Sequence, residues 1–96
     1  MEKSLFSEPY QVVTKKLVEL RNAAGLTQRE LAKRLGWDQS SVHRAERGQR
    51  RLDALQLYHF FKACGVDPQK TAAELMRELD GVDRSSKKSI RRRARH

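Results

Sequence analysis

Apolar residues recur along the chain at intervals of three and four, and no segment alternates in the way a half-buried strand would. The spacing predicts five helices. A first helix over about 8–24 carries Tyr10, Val13, Leu17, Leu20 and Ala24 on one face, and a second over about 28–35 carries Leu31, Ala32 and Leu35. A fourth over 54–64 presents Leu57, Phe60, Phe61 and Cys64, and a fifth over 68–79 presents Ala72, Leu75, Met76 and Leu79. Those stripes build one all-α core, in which each large side chain contributes roughly 1.5–3 kcal/mol when fully buried, largely offset by chain entropy.

The third segment, DQSSVHRAERG at 38–48, has a different pattern. Wound as a helix over about 39–47, it places only Val42 and Ala45 on an apolar stripe. Gln39, Ser40, His43, Arg44 and Arg47 then share the opposite arc. Such a helix is weakly anchored and wet on its free side.

Punctuation agrees with this division. Thr27 with Glu30, and Asp53 with Gln56, read as capping boxes, and Ser7, Asp38 and Asp67 are N-cap candidates. Pro9 and Pro68 fall in first turns, where a missing N–H is harmless. Gly25, Gly36, Gly48, Gly65 and Gly81 stand where each helix should stop in a left-handed residue. The organisation expected is an N-terminal arm (1–7), a helical domain (8–81) and a basic, flexible tail (82–96), since beyond Gly81 only Val82 and Ile90 are apolar.

Charge sharpens the picture. The chain of 96 residues carries a net +9, but residues 1–83 sum to only +2. The middle, 27–51, holds seven positive and three negative charges; 66–83 holds two and five; RSSKKSIRRRARH, 84–96, holds seven positive and none negative. A polyanion suits the middle and the tail through counterion release, while the plainer reading is that Lys and Arg keep a small protein soluble. The single cysteine can form no intramolecular bridge, the N-terminal MEKSLFSEPY lacks a signal-peptide stretch, and no run approaches the ~18 apolar residues of a membrane span. A cytoplasmic protein with no membrane partner is the expectation.

Two short helices joined through Gly36, Trp37 and Asp38, the second with a hydrogen-bonding outer face, follow helix-turn-helix logic. The wet arc would then face a DNA major groove, about 12 Å wide, whose base edges require the donors and acceptors that Gln, Ser, His and Arg supply.

TQRELAKRLGWDQSSVHRAERG, 27–48, with RRLDALQLYHFFKACGVDP after a single Gln, resembles the Cro/cI-type (XRE) helix-turn-helix regulators of bacteria and phages. The resemblance spans about residues 10–68. It rests on Thr-Gln opening the second helix, Leu-Ala and Leu-Gly within it, Gln-Ser opening the third, Glu-Arg-Gly closing it and Gly-Val after the fourth. It implies a five-helix, lambda-repressor-like domain that binds a double-stranded operator and needs no cofactor. Trp37 is bulkier than the usual turn residue, which leaves its packing open, and Cys64 is smaller than the usual leucine.

The resemblance puts a base reader at Gln39, whose amide can bond adenine N6 and N7 together. Arg44, on the same arc, could fork onto guanine or meet a phosphate; Ser40 and His43 could contact a base, a thymine methyl or, through water, a phosphate. Gln28 and Arg29 open the second helix, where free N–H groups and the dipole favour a phosphate. Ser41, Arg47, Arg50 and Arg51 extend this basic surface, with simple solvation the alternative for the last two. The family commonly pairs an acid at the position of Glu46 with an arginine at that of Arg21, a structural ion pair. Leu55 and Tyr58 exceed what the fourth helix needs for its core; neighbouring helices or a two-fold partner could cover them.

Three functions are compatible with this pattern. The first is a sequence-specific transcriptional repressor, nucleoid-associated when bound, acting as a homodimer on a partly palindromic operator. The second is an antitoxin that autoregulates its operon while another surface holds a toxin protein. The third is a helical adaptor that has lost DNA binding, which the retained Gln39 and Arg44 disfavour. The chain offers no phosphate loop and no catalytic arrangement, and His43, His59, His96 and Cys64 do not form a zinc ligand set, so neither an enzyme nor a metal site is expected.

Overall fold

The computed structural model describes residues 7–86; the arm before Ser7 and the basic tail from Lys87 lie outside them. Five α-helices follow in order, α1 (Glu8–Ala23), α2 (Gln28–Leu35), α3 (Gln39–Glu46), α4 (Ala54–Ala63) and α5 (Pro68–Ser86), with no strand among the described residues. The all-α architecture expected from the apolar spacing is the one adopted.

Caps define the starts. Ser7 accepts from the Tyr10 N–H, and Asp67 from the N–H groups of Gln69 and Lys70. Thr27 and Asp53 form complete capping boxes with Glu30 and Gln56. Asp38 occupies the N-cap of α3, yet its side chain makes no capping bond. The α2 stop shows how the turn is built. Gly36 lies at φ +73°, its N–H donates to the Lys33 carbonyl and the Trp37 N–H to that of Ala32, which is the Schellman arrangement. Only glycine adopts that φ without strain, so α2 ends there and the chain is redirected into α3.

The core draws on all five helices. Leu17, Leu31, Val42, Ala45 and Phe60 are fully buried, with Val13, Ala32, Phe61, Cys64 and Leu75 nearly so. Burial pushes the Cys64 thiol up to about 11, so it behaves as a small apolar residue. Trp37 is half-buried, its ring tilted against Phe60 at a centroid distance of 6.5 Å. The bulky turn residue therefore closes the core.

Three expectations change. Gly81 does not end the last helix: α5 continues to Ser86, and Gly81 is not among the positive-φ glycines. The helix carries Gly81 within it at the roughly 1 kcal/mol that a helical glycine costs, and Val82 beyond it lines a shallow cleft with Val12 of α1. Ala24 is the exposed C-cap of α1, and half-buried Leu26 takes its place against the core. Met76 is 56% exposed on the rim of an open groove instead of in the core.

α5 lies antiparallel to α1. The Lys16 ammonium bonds Glu78 at 3.1 Å and lies 3.7 Å from Glu74, while Val12 shares its cleft with Gly81 and Val82. Residues earlier in α1 thus face residues later in α5.

Candidate nucleic-acid interface

The eight residues of α3 have almost no helix stability alone; packing on one side must hold them. Val42 and Ala45 at 0% exposure, together with buried Ser41 and Glu46, supply that side. Gln39, Ser40, His43, Arg44 and Arg47 are all exposed, so the structure brings them together on one open face. Among the described residues the guanidinium groups of Arg29, Arg44 and Arg47 have no ion-pair or hydrogen-bond partner, which leaves their donors available to an external acceptor.

Beneath this face lies a buried polar lock. Arg21 donates from Nε to Glu46 Oε2 at 2.6 Å and from Nη2 to Oε1 at 3.0 Å, and a third donor, Nη1, reaches the Leu26 carbonyl at 2.9 Å. Its hydrogen bonds to Glu46 raise the Arg21 pKa above its ordinary value, against the opposing effect of burial. Gln28 Nε2 adds a bond to Glu46 Oε1 at 2.9 Å. A carboxylate accepting three donors in a fork geometry ties α1, α2 and α3 together at fixed angles.

Three residues expected on the phosphate-facing surface, Gln28, Ser41 and Arg50, are placed differently. Half-buried Gln28 points its amide inward at Glu46, so its own N–H and that of Arg29 are what the α2 start presents outward. Ser41 is 7% exposed, and its hydroxyl accepts from Arg50 Nη1 at 2.9 Å. Ser41 precedes Ala45 by four and shares its buried stripe, which is the physical reason for its position.

Arg50 is half-buried, its guanidinium 5.5 Å from the Trp37 ring centroid, and so clamps the loop after α3 to both α3 and the turn before it. Arg51 lies over the Tyr10 ring at 4.3 Å, bringing that loop against the first turn of α1. Burial raises the Tyr10 phenol pKa, although the neighbouring Arg51 charge acts in the opposite direction. The roles of Trp37 and Arg50 as a mount for the loop had no signal in the local sequence, because their contact crosses the whole of α3.

Leu55 and Tyr58 are 64% and 45% exposed, so neither α1 nor α5 covers them. Tyr58 and Met76 rim an apolar groove of about 610 Å³ between α4 and α5, floored by Leu57, Phe61 and Leu75. Among the described residues no group of three His, Cys, Asp or Glu side chains could hold a metal, and no helix is long and apolar enough to cross a membrane.

A helix-turn-helix domain family model matches residues 15–75, which include the whole of α2, the turn and α3. Among solved structures, an XRE-family like protein from Pseudomonas syringae pv. tomato str. DC3000 is 39% identical, with a TM-score of 0.70 over 79% of this chain and 93% of that one. No curated protein matches. With the family model spanning more than half the chain and that structural neighbour covering most of it, the protein belongs to the XRE-type helix-turn-helix family of DNA-binding transcription regulators.

Proposed function

We propose that the protein is a sequence-specific repressor that binds a partly palindromic operator as a homodimer, with α3 in the major groove. The observation that carries this reading is the open arc of α3, whose polar side chains project from a helix held rigidly by its other side. Gln39 and Arg44 read bases, the first suited to adenine and the second to guanine, while Ser40 and His43 lie between them on the same arc. The N–H groups opening α2, with Arg29, Arg47 and Arg51, meet phosphates and set the register. Gln28, Ser41 and Arg50 support these contacts from beneath.

Selection on random duplexes, followed by titration of Gln39→Ala and Arg44→Ala, tests the assignment. Each substitution is expected to cost about 1–3 kcal/mol at one operator position and to relax preference there. Uniform weakening across all duplexes would make these residues phosphate anchors.

A second copy is the proposed occupant of the α4–α5 groove. Its edges carry Lys62 and Asp67, so a two-fold pairing can set the Lys62 of each protomer against the opposite sign on the other while Tyr58 and Met76 are covered. Sedimentation of Met76→Glu, compared with the parent, is expected to show a shift from dimer to monomer with the helical circular dichroism spectrum retained and a melting temperature that no longer depends on concentration. A dimer that survives the substitution sinks this interface; a parent that is monomeric and instead captures a co-encoded protein through the groove would favour the antitoxin reading.

A further inference from the structure

α3 rests on its neighbours through a narrow apolar strip, and Val42 and Ala45, its fully buried members, are both small. Apolar contact is non-directional, so two small side chains leave the roll of a helix about its own axis weakly determined. The polar residues beside the strip supply what it lacks. At about 100° per residue, Ser41 lies about 40° to one side of Ala45, and Glu46 about 40° to the far side of Val42. Both are buried, and each is tied to a different part of the fold. Glu46, the last residue of α3, is held by Arg21 and Gln28. Ser41, in the first turn, is held by Arg50 Nη1 at 2.9 Å, and the same guanidinium lies 5.5 Å from the Trp37 ring centroid. Trp37 in turn leans on Phe60. The helix is thus moored at both ends and on both flanks of its apolar strip.

We infer that Arg50 is a positioning residue for base reading: through Ser41 and Trp37 it sets the roll of α3, and so the direction in which Gln39 and Arg44 project. With side chains a helix has a radius of about 5–6 Å, so a roll of about 10° displaces a side-chain tip by about 1 Å. Paired hydrogen bonds to a base edge weaken steeply under such a shift. Phosphate contacts from long, flexible side chains accommodate it, because they require charge more than direction. An α3 released on the Ser41 flank therefore loses discrimination before it loses affinity for duplexes in general.

The inference rests on the base reading by α3 proposed above, and its test separates the two. Arg50→Gln and Ser41→Ala are made singly and together in the full chain. Affinity for a selected operator and for an unrelated duplex is then measured across a salt series, below the melting temperature of each variant. Ser41→Ala is the cleaner variant, since it changes no charge, favours the helix and alters a side chain only 7% exposed. Each single variant is expected to lower the operator-to-unrelated ratio by roughly three- to tenfold, the range of one net hydrogen bond, with the salt slope unchanged. The double variant is expected to do no more than either single one, because the two residues form one tether. A slope reduced by about 0.9 in Arg50→Gln, with equal loss on both duplexes, would make Arg50 a phosphate contact and overturn the inference. So would a Ser41→Ala ratio equal to the parent's, or single effects that add. A parent ratio near one sinks the base reading itself, whereas a discriminating parent with equally discriminating variants sinks only the role of Arg50.

Discussion

Glu46→Ala is expected to lower stability by about 3–5 kcal/mol, because it leaves the half-buried Arg21 guanidinium without its carboxylate and only the Leu26 carbonyl as partner. Glu46 is 8% exposed and accepts from Arg21 twice and from Gln28 once, so all three donors lose their acceptor together. In a domain of this size each kcal/mol displaces the melting temperature by about 4–8 °C, so a loss of more than about 12 °C follows. Glu46→Gln keeps one acceptor oxygen and should recover part of it. Circular dichroism melts of both variants, together with operator titration below the lowered melting point, provide the check. The expected pattern is a large thermal loss with operator preference retained. An unchanged melting temperature with altered preference would turn Glu46 from a fastener into a reader.

Phe60→Ala is expected to cost about 3–5 kcal/mol through lost burial and the cavity left behind. Phe60 is at 0% exposure and meets the tilted ring of Trp37, on whose other contact Arg50 depends. The damage should therefore spread from the core to the loop after α3. Denaturant unfolding measures the first effect, and tryptophan fluorescence the second: Trp37 is the sole tryptophan, so its emission should shift to the red in the folded variant. Loss of stability without any change in emission would mean that the turn is held independently of Phe60.

The helices themselves were legible because capping residues, prolines and glycines mark their ends in local chemistry. α2 coincides with its expected limits, and α3 and α4 differ by one residue at their ends. Gly81 misleads for a physical reason: glycine permits a left-handed stop but does not impose one, and here its φ is not positive and the helix runs on. The exposed arc of α3 followed from periodicity, and the Arg21–Glu46 pair from family resemblance. Ser41 could have been assigned to the buried side from its spacing to Ala45. Gln28 could not, since a first-turn glutamine has no local sign of a carboxylate eighteen residues away.

The clamp formed by Ser41, Arg50 and Trp37, joined to the lock around Glu46, has a mechanical corollary. α3 is mounted before any ligand arrives, and little of its geometry is left to adjust. In a complex of two such stiff parts the softer member must yield, and that member is the double helix. For the proposed homodimer, base steps between its two half-sites would then contribute through their bending and twisting stiffness, so flexible pyrimidine–purine steps and rigid A-tracts at the centre of an otherwise identical site become distinguishable.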